Sequence, residues 1–145
     1  MCGVVGFMTT ENYSSGVEME RVLATMSDAI IHRGPDDGGS WSDPEEGIWL
    51  GHRRLAIIDL SLAGHQPMQS ASSRYIIVFN GEIYNHLLLR QGLETAEKAP
   101  TWRGNSDTET LLAGFDEWGI QGTLEKSTGM FAIAVWDKQN YTLTL

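Results

Sequence analysis

An apolar, β-branched run begins at the third residue of the chain, and this early run constrains the fold more than any other feature. Residues 3–9 (GVVGFMT) are followed by the polar stretch 10–15. This is the pattern of a short buried strand that ends in a loop. The chain therefore enters its core at once, directly after Cys2.

Two later segments have the spacing of amphipathic helices. Apolar residues recur near helical spacing within residues 17–31, and charged residues lie on the other faces. Residues 106–109 (SDTE) fit a capping box, in which a Ser hydroxyl and a Glu carboxylate satisfy free backbone N–H groups. A second helix is therefore expected to begin at Asp107 and to continue through the apolar residues 111–118.

The remaining apolar runs predict strands separated by loops. The predicted strands are residues 48–59, 75–80, 131–136 and 141–145. Loops are expected at residues 36–47, which contain three glycines and a proline, and around residues 64–69. The polar segment 137–140 suits the turn of a β-hairpin. Because the last strand runs to the final residue, we expect the chain to be a piece of a longer protein, with this domain incomplete at its C-terminal end.

Length and charge exclude several classes of function. With 145 residues, the chain fits one domain and has no room for a second of full size. Ten Lys and Arg against 19 Asp and Glu give a net charge of −9, and the basic residues are scattered. No electropositive face is expected, which argues against nucleic acid or an anionic membrane as a partner.

Cysteine usage and hydropathy indicate a cytoplasmic protein. Cys2 is the single cysteine, so an internal disulfide and a zinc site built on several thiolates are excluded. The longest apolar run, residues 130–136, is far shorter than the ~20 residues that cross a bilayer. The N-terminus also lacks the basic and apolar regions of a secretory signal.

Cys2 is a candidate nucleophile. If Met1 is removed, one residue carries a thiol and a free α-amine of similar reference proton affinity, so the amine can accept the thiol proton directly or through a water. A nucleophile and its base would then be present in one residue. The alternative is a small residue at a fraying chain end.

Asn80 and Gly81 are candidates for an oxyanion hole. They follow the apolar run 75–79, where a side-chain amide and an unhindered backbone N–H can point at one oxygen. The alternative is a hairpin turn, for which Asn-Gly is a strong signal. The following segment, residues 83–89, has the character of a helix start and not of a return strand, which favours a site.

Three charged residues are candidate ligands for a small zwitterion. Arg54 interrupts a strand-forming segment, and its guanidinium can grip a carboxylate through two parallel hydrogen bonds. Glu82 and Asp107 could hold an ammonium group. The alternatives are a solvated edge arginine, a surface charge at Glu82, and a helix-start residue at Asp107 that complements the helix dipole.

No metal or nucleotide site is predicted. The four histidines have no metal-ligand spacing, and the glycines of residues 34–39 match neither a dinucleotide-binding nor a P-loop pattern. The five tryptophans lie in apolar runs and loops without basic neighbours, so most of them are expected in the core.

Seven segments taken in order resemble one known family. They are MCGVVG (1–6), HRGPD (32–36), HRRLAIID (52–59), QPM (66–68), NGEIYN (80–85), SDTE (106–109) and GMFAIAVWD (129–137). In this order they resemble the N-terminal glutaminase domain of glutamine-dependent asparagine synthetases, a class II glutamine amidotransferase. The resemblance runs from the first residue to the last.

The resemblance implies a fold and a set of site residues. The fold would be α+β, an αββα four-layer sandwich of the N-terminal-nucleophile (Ntn) hydrolase type, and the predicted strands and helices are compatible with it. By the same resemblance Cys2 is the nucleophile and Asn80 and Gly81 form the oxyanion hole. The glutamine-binding residues would be Arg54, Leu55, Ile57, Ile58, Glu82 and Asp107.

The resemblance also implies a reaction and its partners. L-glutamine would be hydrolysed to glutamate and ammonia through a Cys2 thioester, with no cofactor in this domain. ATP and Mg are expected only in a C-terminal synthetase domain, which residues 1–145 do not contain. Two alternatives remain open: a parent protein that amidates another carboxylate, such as a sugar carboxylate, and a regulatory module that binds glutamine without hydrolysing it.

Overall fold

Seven strands and three α-helices lie within residues 2–9, 16–56 and 62–145, the part of the chain that the computed structural model describes. The strands are β1 (Gly3–Met8), β2 (Asp37–Asp43), β3 (Ile48–Arg54), β4 (Met68–Gln69), β5 (Tyr75–Ile83), β6 (Gly129–Asp137) and β7 (Thr142–Thr144). The helices are α1 (Gly16–Ala29), α2 (His86–Thr95) and α3 (Asp107–Lys126), with single 3-10 turns at Ile31–Arg33 and Leu62–Gly64.

The strands form two antiparallel sheets, which places the protein in the α+β class. One sheet has the order β1-β3-β2 and the other the order β4-β5-β6-β7. The predicted hairpin is confirmed, since β6 and β7 pair from Asp137↔Thr142 onward. None of the helices within the described residues is long and apolar enough to cross a membrane.

The prediction of a loop over residues 36–47 is wrong. Residues 37–43 form β2, which pairs along its whole length with β3, from Asp37↔Arg54 to Asp43↔Ile48. β2 lies at the edge of its sheet and contributes mainly backbone hydrogen bonds, so its sequence need not be apolar. The predicted loop at residues 64–69 likewise contains the short strand β4, which pairs with β5 through Met68↔Ile77 and Gln69↔Ile76.

Strand β5 continues three residues beyond its predicted end at Asn80. It pairs with β6 without interruption from Tyr75↔Asp137 to Ile83↔Gly129. Asn80 and Gly81 are therefore strand residues, and the hairpin-turn interpretation of this dipeptide is wrong. The expected helix does follow, because α2 begins at His86.

The core has two parts, one on each face of β5. Ile77 and Phe79 pack with Leu111 and Phe115 of α3. Ile76 and Val78 pack on the other face, with Ile48 and Leu50 of β3. The two sheets therefore face each other across Ile76 and Val78, and full burial of each such side chain contributes roughly 1.5–3 kcal/mol.

Each sheet also has a helix on its outer face. Helix α3 covers the four-stranded sheet through Leu111 and Phe115. Helix α1 lies so close to β3 that a Cβ on Gly51 would be 2.7 Å from Ser27 Oγ. The glycine at this position permits that close approach of the helix to the strand.

Helix α3 begins at Asp107, as predicted, but only half of the capping box forms. The Ser106 hydroxyl accepts a hydrogen bond from the Glu109 N–H at 3.2 Å. The Glu109 carboxylate instead accepts from the N–H groups of Arg103 (2.8 Å) and Gly104 (3.0 Å). Glu109 therefore fixes the loop that leads into the helix.

Candidate functional site

A cleft of about 260 Å³ opens beside the ends of β3 and the start of α3, along one edge of β5. Every site residue that was predicted from the sequence and lies in the described part of the chain lines it: Cys2, Arg54, Leu55, Asn80, Gly81, Glu82 and Asp107. The predicted residues Ile57 and Ile58 lie outside the described residues. The fold thus gathers into one cavity residues that are up to 105 positions apart in the sequence, from Cys2 to Asp107.

Cys2 is held by the main chain on both sides. It directly precedes β1, whose Gly3 pairs with Arg53 of β3. The Leu55 N–H donates to Cys2 Sγ at 3.4 Å, and the thiol donates to the Leu55 carbonyl at 3.7 Å. The Arg33 guanidinium donates from Nε to the Cys2 carbonyl at 3.1 Å. These contacts fix the sulfur at the wall of the cleft.

Arg54 is the last residue of β3, and its side chain is buried at 8% exposure. The guanidinium packs against Gly64, where a Cβ would lie only 2.1 Å from Nη2. A side chain at position 64 would therefore displace the guanidinium. The interpretation of Arg54 as a solvated edge arginine is wrong, since a buried guanidinium at a cleft wall has lost most of its contact with water.

The edge of β5 explains how a backbone donor faces the cleft. In an antiparallel sheet alternate residues direct their N–H groups to the same edge. The residues of β5 on either side of Gly81 donate from this edge: the Phe79 N–H donates to Gln66 Oε1 at 2.7 Å and the Ile83 N–H donates to Asp107 Oδ2 at 2.9 Å. Gly81 lies between them in the same alternation, so its N–H points to the cleft.

Gly81 also permits β6 to lie close. A Cβ at this position would be 2.3 Å from the Met130 carbonyl oxygen and 2.5 Å from Phe131 Cα. Asn80 and Glu82 flank it and share the opposite face of the strand, the one that carries Val78 toward the three-stranded sheet. The Asn80 amide and the Glu82 carboxylate are therefore directed to the side of β5 on which Cys2 and Arg54 lie.

Asp107 is the helix-start residue of α3, and it also lines the cleft. Its carboxylate accepts hydrogen bonds from the Ile83 N–H and, at 2.9 Å, from the N–H of Thr108 in the first turn of α3. The residue is buried at 5% exposure and still lines the cleft. It thus starts the helix and brings a negative charge to the cavity wall.

The charges of the cleft suit a small zwitterion. One guanidinium, Arg54, and two carboxylates, Glu82 and Asp107, line the same cavity. A guanidinium binds a carboxylate with fixed geometry, and a carboxylate attracts an ammonium group. No group of three His, Cys, Asp or Glu side chains that could hold a metal ion occurs within residues 2–9, 16–56 and 62–145.

Two buried residues that contact Phe79, which lines the cleft, have no role predicted from the sequence. Gln66 lines the cavity, and His52, at 1% exposure, contacts the Phe79 carbonyl through Nε2 at 3.0 Å. Burial lowers the pKa of His52 from 6.5 to about 4, with the Arg54 charge acting in the same direction, so the ring is neutral near pH 7. Both residues belong to segments that carry the family resemblance, HRRLAIID (52–59) and QPM (66–68). Their contacts with Phe79 span 13 and 27 positions of the sequence, so no local pattern could have predicted them.

Comparison with known proteins gives a consistent result over the whole chain. Residues 1–145 match the family described as glutamine amidotransferase domain. The chain is 39% identical to asparagine synthetase [glutamine-hydrolyzing] 1 of Bacillus subtilis (strain 168), over 99% of the chain and 22% of that protein. It is 39% identical to a putative asparagine synthetase [glutamine-hydrolyzing] of Mycobacterium tuberculosis (strain ATCC 25618 / H37Rv), over 94% of the chain and 22% of that protein.

A third relative carries a different name. Amidase chry2 of Gibberella zeae is 33% identical, over 99% of the chain and 22% of that protein. The chain therefore spans about a fifth of the length of these curated relatives.

Proposed function

This chain belongs to the glutamine amidotransferase domain family, and on that basis we propose that it hydrolyses L-glutamine to glutamate and ammonia with Cys2 as the nucleophile. One observation carries the proposal: the Cys2 thiol shares a single cleft with Arg54, Asn80, Gly81 and two carboxylates. These groups supply a nucleophile, an oxyanion site and a binding site for an amino acid in one cavity.

Substrate binding uses the charges of the cleft. The Arg54 guanidinium binds the α-carboxylate of glutamine, and Glu82 and Asp107 bind its α-ammonium group. Leu55 lines the pocket around the substrate. With both charged groups held, the side-chain amide extends toward Cys2, and this orientation converts a bimolecular attack into a step within one complex.

The chemistry proceeds in two halves. The α-amine of Cys2, freed by removal of Met1, takes the thiol proton, and the thiolate attacks the amide carbon of glutamine. The oxyanion of the tetrahedral intermediate accepts hydrogen bonds from the Asn80 amide and the Gly81 N–H. The protonated amine then donates its proton to the departing nitrogen, the C–N bond breaks, and ammonia leaves a γ-glutamyl thioester on Cys2.

Water completes the cycle. The free α-amine accepts a proton from the attacking water, the C–S bond breaks, and the proton returns to the sulfur as glutamate leaves. No step needs a cofactor in this domain. The two sheets that face each other between α1 and α3 support assignment of the fold to the αββα sandwich of Ntn hydrolases.

The longer relatives indicate where the ammonia goes. Because the chain spans about 22% of proteins named asparagine synthetase, we propose that residues 1–145 are the glutaminase part of a protein whose synthetase domain uses ATP and Mg to amidate aspartate. Asparagine formation from glutamine, aspartate and ATP by the full-length protein tests this acceptor. Ammonia release without asparagine formation would point to another carboxylate.

The glutaminase proposal is tested by comparing glutamate release from the purified wild type, Cys2→Ala and Cys2→Ser. Thr25→Ala is the control, since Thr25 lies on α1 and donates only to the Arg21 carbonyl. Both Cys2 variants should lose turnover while the control keeps it. Acid-quenched wild type should carry a glutamyl adduct on an N-terminal Cys2. A Cys2→Ala variant as active as the wild type, or active protein that retains Met1, contradicts the mechanism.

A further inference from the structure

On the edge of β5 away from β6, the pairing with β4 ends at Ile77, three residues before the proposed oxyanion site begins at Asn80. Strand β4 pairs only with Ile76 and Ile77. Extrapolation of its register would set Pro67 opposite Val78 and Gln66 opposite Phe79. The pairing does not extend to them: Val78 directs its main-chain groups toward β6, and Phe79 is the next residue whose main chain faces the β4 edge. Within the described residues Phe79, a residue at 3% exposure, pairs with β6 on one edge but has no strand on the edge where β4 has ended.

Two buried side chains take the place of that strand. Gln66, at 6% exposure, accepts the Phe79 N–H on Oε1 at 2.7 Å. His52 lies 3.0 Å from the Phe79 carbonyl through Nε2. Since a carbonyl oxygen only accepts, Nε2 carries the proton and donates it. Both polar groups of Phe79 are thereby satisfied, as buried backbone groups require.

The two contacts act on the next two residues of the strand. The Phe79 carbonyl belongs to the peptide plane that runs from Phe79 Cα to Asn80 Cα, so fixing this oxygen helps to fix the Cα from which the Asn80 side chain departs. Gly81 follows directly. The Gln66 amide also donates to the Thr108 hydroxyl at 3.4 Å, which connects the same group to the first turn of α3 beside Asp107.

We propose that His52 and Gln66 are positioning residues that hold the Phe79–Asn80 peptide unit so that the Asn80 amide and the Gly81 N–H converge on one oxygen. This inference rests on the proposed glutaminase function. Neither side chain reaches the reacting atoms in this scheme. Their contribution is to the transition state, because only there does the oxygen carry the negative charge that the two donors stabilise.

The test compares four variants with the wild type in glutamine hydrolysis. His52→Leu removes the donor to Phe79, and His52→Gln keeps an N–H donor at similar reach. Gln66→Met removes the acceptor at similar length. Thr123→Val is the matched control: Thr123 is fully buried and its hydroxyl donates to the Gly119 carbonyl within α3. Melting temperature and near-UV circular dichroism identify the folded variants.

We expect His52→Leu and Gln66→Met to lower kcat by about 10- to 100-fold, because small misplacement of oxyanion donors is costly. KM for glutamine should stay within about threefold, since the ligands that we assign to the charged groups of glutamine are other residues, Arg54, Glu82 and Asp107. His52→Gln should recover kcat to within about threefold of the wild type, because it restores a donor to the Phe79 carbonyl. Thr123→Val should have the kcat of the wild type, because it leaves both contacts to Phe79 in place.

The positioning role is overturned if the folded His52→Leu and Gln66→Met variants match Thr123→Val in kcat, or if His52→Gln is no better than His52→Leu. If either apolar variant does not fold, Gln66→Asn, which is one methylene shorter, should still lower kcat by about fivefold or more; unchanged kcat overturns the role. Amide hydrogen exchange gives a readout independent of activity. In His52→Leu and Gln66→Met, the exchange rate should rise at Asn80 relative to Trp136 of the paired strand β6. If Cys2→Ala equals the wild type, the glutaminase proposal fails, and unchanged exchange at Asn80 then separately overturns the positioning.

Discussion

The Asp107 carboxylate accepts a hydrogen bond from the Ile83 backbone N–H at 2.9 Å, and this contact fastens the first residue of α3 to the edge of β5. The same carboxylate accepts from the Thr108 N–H at 2.9 Å. The helix start and the strand edge that carries Gly81 are therefore one rigid wall of the cleft. A charge placed on this wall keeps a fixed distance from the proposed oxyanion donors.

Replacing Asp107 by Asn should weaken glutamine binding. The variant keeps the size of the side chain but removes the charge that we assign to the substrate ammonium. A hydrogen bond to a charged group contributes roughly 1.5–3 kcal/mol, so KM should rise by about 10- to 100-fold. Asp116→Asn is the control, because Asp116 lies on the same helix and accepts from the Ser72 N–H at 3.2 Å. Equal KM values for the two variants would remove Asp107 from the binding site.

Adding a methyl group at two glycines should change the free energy of unfolding in opposite directions. Gly81→Ala places a Cβ 2.3 Å from the Met130 carbonyl oxygen, so we expect a loss of about 1–3 kcal/mol together with a large fall in kcat. Gly92 lies within α2, and apart from its chain neighbours and the backbone of its own helix no atom of the described residues lies within 4 Å of the added Cβ, so Gly92→Ala should gain about 0.5–1 kcal/mol. Urea unfolding curves measure both changes. A Gly81→Ala protein as stable as the wild type would mean that β6 can retreat without cost.

His52 should make the stability depend on pH between about pH 6.5 and pH 4. Burial lowers its pKa in the folded protein from 6.5 to about 4, so in this interval the unfolded chain binds a proton that the folded chain does not. The free energy of unfolding therefore falls as the pH falls, by about 2 kcal/mol between pH 7 and pH 5. His52→Gln lacks this contribution. The difference in unfolding free energy between the wild type and His52→Gln should therefore change by about 2 kcal/mol from pH 7 to pH 5. A constant difference would show that the ring is hydrated in the folded state.

Asp137→Asn should destabilise the fold by weakening the contact between Asp137, the last residue of β6, and Arg74, which precedes β5. The Asp137 carboxylate, at 4% exposure, accepts two hydrogen bonds from the Arg74 guanidinium, at 2.9 and 2.6 Å, and Arg74 lowers the pKa of Asp137 below its usual value. The loss at pH 7 should be about 1.5–3 kcal/mol, and it should shrink in acid as the pH falls through the lowered pKa.

Asp28→Asn is the matched control for this pair. Asp28 pairs with Arg53, but its side chain is 71% exposed. Its loss should stay within about 0.5 kcal/mol, as is usual for surface ion pairs. Equal losses from Asp28→Asn and Asp137→Asn at pH 7 would argue against the buried pair as a source of stability.

The sequence predicted the elements whose side chains are buried and failed where an element is held by its main chain. Strand β1, helix α1 and the start of α3 follow from apolar spacing and from the Ser106 cap, which are local signals. Strand β2 was predicted as a loop because its polar, glycine-rich residues give no such signal. Its pairing with β3 depends on backbone groups that every sequence carries.

The sequence by itself determined the chemical types available at the site: a cysteine beside the chain start, an Asn-Gly pair, an arginine and two carboxylates. The tertiary structure decided that the Asn-Gly pair lies within a strand, that Gln66 and His52 satisfy the main chain before it, and that Arg54 is buried against Gly64. The physical reason is that residue type and spacing act along the chain. Burial, the free edge of a sheet and contacts across tens of residues arise only when the two sheets pack together.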